Sequence, residues 1–460
     1  MALAGSGRIA QSPLSPAGAL AHIKSILADK SDSRLAQIGA GKVFVIRIAS
    51  ALLALISQIL FARWMGQFQF GIYVYVWTWV LLIGQSLDLG LATAALRFVP
   101  QYRDTKALAL LRGFLAGSRV FAVGVAIACA AVCAGLVTLL RPWLDDYTII
   151  PLYIACMTLP AYALANVQDG IARSYDWVGL GIVPTYIARQ LLLTLVMAAA
   201  YFGGFPVDAL TALILAGASI WLAALGQLVV LNRRLGTRVT PGPKAYEFRT
   251  WLAVAMPILM VESFYLVLTH TDVLVLQQFR SPSEVAIYFA ATKTLALVAF
   301  VYFAVAATVT HRFSAYHVAG DREGLATILR QSVRWTFWPS LAATVVVLAF
   351  GKPLLWLFGA QFGDGYHLMF ILALGLLARA SIGPVERLLN MLGEQRICAT
   401  VYCGAFVINL GLCMALIPRY GATGAAIATA IALCTETALL SFVTRRRLGL
   451  HVFIWSSAAH

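Results

Sequence analysis

Charge is scarce in this sequence. Of its 460 residues only 12% are Asp, Glu, Lys or Arg, while 61% are hydrophobic; a soluble protein carries roughly 25% charged residues. A water-soluble chain of this size has nowhere to hide so much apolar side chain, so lipid must be the solvent for most of it. That excludes a soluble enzyme, a nucleic-acid binder and a secreted disulfide scaffold. Cysteine is sparse as well. The seven, at positions 129, 133, 156, 398, 403, 413 and 434, all lie inside apolar runs. They form no C-x-x-C and no paired spacing with His, which argues against a metal or redox site. Acids are scarcer than bases, 19 against 34, for a net charge of +15. In a soluble domain that balance would suggest nucleic acid. Here the bases sit mostly in connections between apolar runs, and report topology instead. Residues 1–38 hold no continuous apolar core of a secretory signal; they read as a polar cytoplasmic tail with a short surface helix near 20–35.

Apolar segments of spanning length, roughly 20 residues, fall near 43–64, 70–94, 118–140, 148–167, 178–202, 207–231, 251–278, 285–310, 334–350, 366–389, 397–417 and 421–443. With the N-terminus in the cytoplasm, 25 of the 34 Lys and Arg fall on the inner side, five on the outer side and four within spans. That bias predicts an even number of spans with both termini cytoplasmic. An internal repeat appears at a constant offset of 215 residues. Ala92-Thr93, Arg97 and Phe98 fall on Ala307-Thr308, Arg312 and Phe313, and Ile72-Tyr73 falls on Ile287-Tyr288. Six spans separate the copies, so both run in the same direction. The expected fold is an all-α polytopic membrane protein of twelve transmembrane helices, arranged as two parallel six-helix pseudo-symmetric lobes. Its parts are a tail at 1–38, an N-lobe at 39–232, a basic cytoplasmic linker at 233–250, a C-lobe at 251–444 and a tail at 445–460. Repeats related by an axis along the membrane normal belong to transporters that bind between their halves.

Several motifs fall in a telling order. Ala62-Arg63-Trp64-Met65-Gly66 precedes Phe70-Gly71-Ile72-Tyr73, and Asp272-Val-Leu-Val-Leu precedes Glu284-Val285-Ala286-Ile287-Tyr288. Pro353-Leu-Leu-x-Leu-Phe358-Gly359, Leu392-Gly393-x-x-Arg396 and Pro418-x-Tyr420-Gly421-Ala422-x-Gly424 follow. From about residue 38 to 445 the chain resembles the polysaccharide-repeat (O-antigen/exopolysaccharide) flippases of the multidrug/oligosaccharidyl-lipid/polysaccharide exporter superfamily. Ala286 stands where the family usually has Gly. The resemblance implies a bacterial inner-membrane protein whose partner is an undecaprenyl-diphosphate-linked oligosaccharide, moved between leaflets by alternating access. It implies no covalent chemistry, and no cofactor beyond possible Na+ or H+ coupling. Other polysaccharide assembly proteins are expected partners. The rival on the same fold is an ion-coupled exporter of small amphipathic drugs.

Each charge inside a span costs roughly 2.5–3.5 kcal/mol at its centre, so each needs a reason. Arg47 and Glu262 occupy equivalent positions of the two repeats. They are expected to confront one another near the pseudo-axis, Arg47 attracting diphosphate and Glu262 binding a coupling ion or the arginine. A structural pair, or Arg47 snorkelling to the interface, is the alternative. Arg189, Lys293 and Arg379 are the other cations within spans and could share a diphosphate. The alternative for each is neutralisation by Asp272, Glu386, Glu436 or backbone carbonyls. Asp272, two residues after His270, could bind a proton or Na+, or could cap its helix. Pro160, Pro184, Pro257 and Pro384 lie inside apolar spans, where they permit bending.

Overall fold

In the computed structural model, residues 32–450 and 452–454 are described; residues 1–31 of the tail read at 1–38, and 451 and 455–460 of the tail read at 445–460, lie outside them. Every regular element among the described residues is helical. The first half holds α1 (Asp32–Ser86), α2 (Leu91–Asp104), α3 (Leu108–Leu140), α4 (Asp146–Ser174), α5 (Val178–Val183), α6 (Arg189–Phe202) and α7 (Ala209–Gly236). The second half holds α8 (Phe248–Phe279), α9 (Pro282–Leu295), α10 (Ala299–Val318), α11 (Arg322–Ala349), α12 (Gly351–Trp356), α13 (Tyr366–Ala380), α14 (Val385–Met391) and α15 (Gln395–Leu448). Among the described residues, ten helical stretches are long and apolar enough to cross a membrane. A 55-residue helix such as α1 would reach about 80 Å if straight, far beyond a hydrocarbon core of about 30 Å. It breaks at Gly66 (φ 74°, ψ 170°), and α15 breaks at Gly421 (φ 57°, ψ −134°), both in the left-handed half of the map. The expected twelve crossings require these two stretches to cross twice each.

The repeat carries into hydrogen bonding. Gln69 Oε1 accepts from the Ala209 backbone N–H at 3.0 Å, at the start of α7. Glu284, 215 positions later, accepts from the Ala422 N–H at 2.6 Å, just past the Gly421 break. The same register position in each half thus satisfies an otherwise orphaned N–H at a helix start.

Core packing differs between the two ends of the bundle. Near Gly66 and Gly421 the halves share one apolar cluster, in which Phe61, Phe70 and Tyr73 meet Tyr288, Phe358 and Phe362. Phe70 makes edge contacts with Phe289 at 6.1 Å and Phe362 at 6.3 Å. Gly71 lies so close to Pro282 that a Cβ would come within 1.8 Å of its carbonyl oxygen. Arg63 reaches across, its Nε donating to the Leu357 carbonyl at 2.6 Å and its Nη2 to that of Trp356 at 3.1 Å. Toward the other end there are two clusters. One holds Phe98, Phe114, Ile171 and Leu231 of the first half; the other holds Phe313, Leu329, Leu389 and Tyr402 of the second.

The first turns of α8 pack on the first half. Trp251 and Ala255, expected in the C-lobe, are fully buried in the first-half cluster, and Trp251 Nε1 donates to the Tyr102 hydroxyl at 3.0 Å. The second-half cluster takes up α8 only from Phe264 onward, so Pro257 lies between the two attachments. Nor does the basic linker hang free. The Ala245 N–H donates to the Ala109 carbonyl at 2.9 Å, which ties the connection to α3.

Candidate functional site

A cavity of about 630 Å³ opens where the two separate clusters diverge. The first half contributes Arg47 from α1 and Thr93 from α2. The second half supplies most of the wall: Glu262 and Tyr265 from α8, Tyr302 from α10, Arg379 from α13, Glu386 and Arg387 from α14 and Tyr402 from α15. Several of these charges sit at least partly buried in the wall, where Coulomb forces are less screened than in bulk water.

Arg379 is the hub. Its Nη2 lies 3.4 Å from Glu386 Oε2 and 3.5 Å from Glu436 Oε1. Glu436 is 1% exposed, so the guanidinium is the counter-charge that makes its burial tolerable. The rings of Tyr265 and Tyr302 each lie 5.9 Å from the guanidinium carbon, within cation–π range. The Tyr302 hydroxyl donates to Glu386 Oε2 at 3.5 Å, and Tyr402 stands edge-on to Tyr265 at 5.5 Å. Ser381–Pro384, the interruption between α13 and α14, turns the chain back so that Arg379 and Glu386 meet seven residues apart.

Arg47 is exposed to the cavity and lies 5.7 Å from the Tyr186 ring. It makes no ion pair with Glu262 among the described residues. The two repeat positions thus line the same cavity without pairing. Arg47 lies within electrostatic reach of Asp169, itself paired with Arg173 at 2.9 Å. Glu262 lies within reach of Asp88 and Arg173. Asp88 holds the start of α2, accepting from the Gly90 and Ala92 N–H groups at 3.2 and 3.3 Å. The first half therefore spreads its charges along a network, and the second half concentrates them at one arginine.

The remaining expected residues lie elsewhere. Arg189 follows a π turn at Pro184–Ala188 and sits 5.5 Å over the Trp77 ring, its Nε donating to the Thr185 carbonyl at 3.2 Å. Lys293 lies 4.9 Å over Phe289 and within electrostatic reach of Asp272 and His270. Neither lines the cavity. Asp272 is 6% exposed. It accepts from the Tyr288 hydroxyl, from Thr429 Oγ1 at 3.2 Å and from the Val273 N–H at 2.8 Å. This carboxylate joins α8, α9 and α15. The tyrosines and Arg387 were not singled out by sequence. Tyr265 is one turn from Glu262 on α8, but only the convergence of α8 with α10, α13, α14 and α15 reveals it as cavity wall.

A helical bundle whose halves join at one end and part at the other around a charged cavity defines the class: a multi-pass, two-lobed helical membrane protein. Among solved structures it is similar to an inward-facing multidrug resistance MATE family transporter of the MOP superfamily. That match has 14% identity and a TM-score of 0.70, covering 88% of this chain and 98% of the other. It is also similar to the lipid II flippase MurJ in an inward closed conformation, at 15% identity and a TM-score of 0.69, covering 88% and 87%. The family described as Polysaccharide biosynthesis protein matches residues 39–316, more than half of the sequence, and the chain belongs to it. The MatE family matches residues 257–415. A curated relative, the probable low-salt glycan biosynthesis flippase Agl15 of Haloferax volcanii, is 25% identical over 169 residues. The match spans about a third of either chain, 36% of each.

Proposed function

We propose that this protein is a flippase that moves an undecaprenyl-diphosphate-linked oligosaccharide repeat across the bacterial inner membrane by alternating access, for surface polysaccharide biosynthesis. The observation that carries the reading is the cavity of Arg47, Arg379 and three tyrosines. Guanidinium groups match phosphate oxygens, and tyrosine faces offer flat apolar surface with a polar edge for sugar rings. The family match and the flippase among the relatives support the same class of cargo.

The two halves of the site play different parts. Arg47, exposed and free of ion pairs among the described residues, is the first group an incoming diphosphate meets. Arg379 is shared between two carboxylates at 3.4 and 3.5 Å, longer than the about 2.7–2.9 Å of a tight charge-assisted hydrogen bond. A diphosphate that draws Arg379 away leaves Glu386 and Glu436 to take up a proton or Na+, which links cargo binding to ion binding. Glu262 is a further coupling carboxylate in the wall. Asp272 serves coupling from the joined end, with Lys293 near it, and Arg189 on Trp77 lies on the cargo's path as that end parts. With the linker and both termini cytoplasmic, as the loop charges predict, the state described here faces the cytoplasm. All of these steps are binding and movement; no bond in the cargo is made or broken. Other assembly proteins would supply and remove the lipid-linked repeat.

The second reading, an ion-coupled exporter of small amphipathic drugs, draws on the MatE match and on the carboxylates around Arg379. Deleting the gene and restoring it separates the two. Loss and recovery of surface polysaccharide, with unchanged drug susceptibility, is the expected result. A change confined to drug susceptibility would overturn the flippase reading.

A further inference from the structure

We infer that a pocket on the linker side of the first half, between α3, the end of α7 and the connection to α8, binds the phosphate of an anionic membrane-lipid headgroup. The pocket measures about 310 Å³ and shares no lining residue with the central cavity. Its polar wall is Arg112 and Arg119 of α3, Asn232 of α7, and Thr240 and Lys244 of the connection.

The two arginines are seven residues apart, two turns of α3, so they share one face. Both are held by neutral acceptors. Arg112 Nε donates to the Thr240 carbonyl at 2.6 Å, Nη2 to Thr240 Oγ1 at 3.1 Å and Nη1 to the Pro243 carbonyl at 3.4 Å. Arg119 Nε donates to the Leu115 carbonyl and Nη1 to Asn232 Oδ1, both at 2.6 Å. These contacts fix the forks without cancelling their charge. A guanidinium has five N–H donors, so each fork keeps donors to spare. Gly242 lets the connection lie against Arg112, since a Cβ there would come within 2.5 Å of Nη1.

No carboxylate among the described residues pairs with this charge. None of the ion pairs among the described residues involves Arg112, Arg119 or Lys244. Glu247, the one carboxylate of residues 232–250, turns to the Tyr102 hydroxyl instead. Three cations around one pocket, two of them oriented as planar forks, are matched by a phosphate ester. Leu115, Leu235 and Val239 complete the wall. That apolar side, at the ends of two spans, suits the glycerol and first methylenes of a lipid better than a free anion. A headgroup held here would moor the first half to one leaflet while the second half moves.

Native mass spectrometry of the purified full-length protein tests this, with phosphatidylglycerol, phosphatidylcholine and inorganic phosphate as probes. Wild type should retain phosphatidylglycerol in preference to phosphatidylcholine, and Arg119→Gln and Lys244→Gln should each weaken that retention about fivefold. Among the described residues Lys244 makes no hydrogen bond or ion pair, so its variant is free of the folding risk that Arg112 carries through Thr240 and Pro243. Inorganic phosphate that displaces the lipid would support a site for phosphate from either source; failure to displace it would support the lipid as the source. Equal retention of the two lipids by wild type, or undiminished retention of phosphatidylglycerol by both variants, would overturn the inference.

Discussion

Arg47 and Arg379 line the same cavity, yet the protein treats them differently. Arg47 is exposed, reaches over Tyr186 and has no ion pair among the described residues. Arg379 is clamped by Glu386, Glu436 and two tyrosine rings. One charge is available without rearrangement; the other neutralises buried acid and can leave only if something replaces it. A cation inside a membrane protein therefore cannot be assigned to cargo by its presence alone. Its partners decide whether removing it damages binding or folding.

The largest effect should follow from breaking the clamp. Arg379→Ala strands two carboxylates, and breaking a buried pair costs about 3–5 kcal/mol. Membrane yield and unfolding temperature of the purified protein should both fall sharply. The paired change Arg379→Met with Glu436→Gln should recover part of that loss, because the most buried acid goes with its counter-charge. The next effect belongs to the joined end, on which the parted cavity depends. Gly71→Ala would set a Cβ against the Pro282 carbonyl, an overpacking that costs about 1–3 kcal/mol. Spin labels at Phe68 and Gln361, both exposed near that end, should report longer distances in the variant. Arg63→Ala removes two hydrogen bonds to carbonyls of the opposite half. Each is worth about 1 kcal/mol, so the same labels should shift in the same direction but less. Smallest in stability is Arg47→Ala, where an exposed change should stay within about 0.5 kcal/mol of wild type.

Much of the fold was legible in the sequence, and much of the site was not. Apolar runs located the helices because spanning length is dictated by the bilayer. The 215-residue offset announced a repeat that reappears in the Gln69 and Glu284 helix-start contacts. The span expected at 334–350 begins at Arg322 instead. Arg322, Arg330 and Arg334 lower its hydropathy without disturbing its helix. The connection at 351–365 forms a short helix and a 3-10 turn that bury Phe358 and Phe362 at the joined end. Local pattern cannot foresee that, since the partners lie hundreds of residues away. Nor could spacing foresee that α8 is one continuous helix whose first turns pack on one half and whose later turns pack on the other. The four intramembrane cations were visible as costly residues. Which of them meet depends on kinks at Pro184 and Pro384 and on tertiary angles that no spacing encodes.

The most direct test of a cargo-binding cavity is the export of polysaccharide by Arg47 variants, measured per unit of protein in the membrane. Arg47→Ala should reach the membrane at wild-type level and lose most of its export. Arg47→Lys, which keeps the charge but not the planar fork, should retain part of it. Normal export by Arg47→Ala at wild-type protein level would contradict the proposal that this cavity grips the cargo's diphosphate.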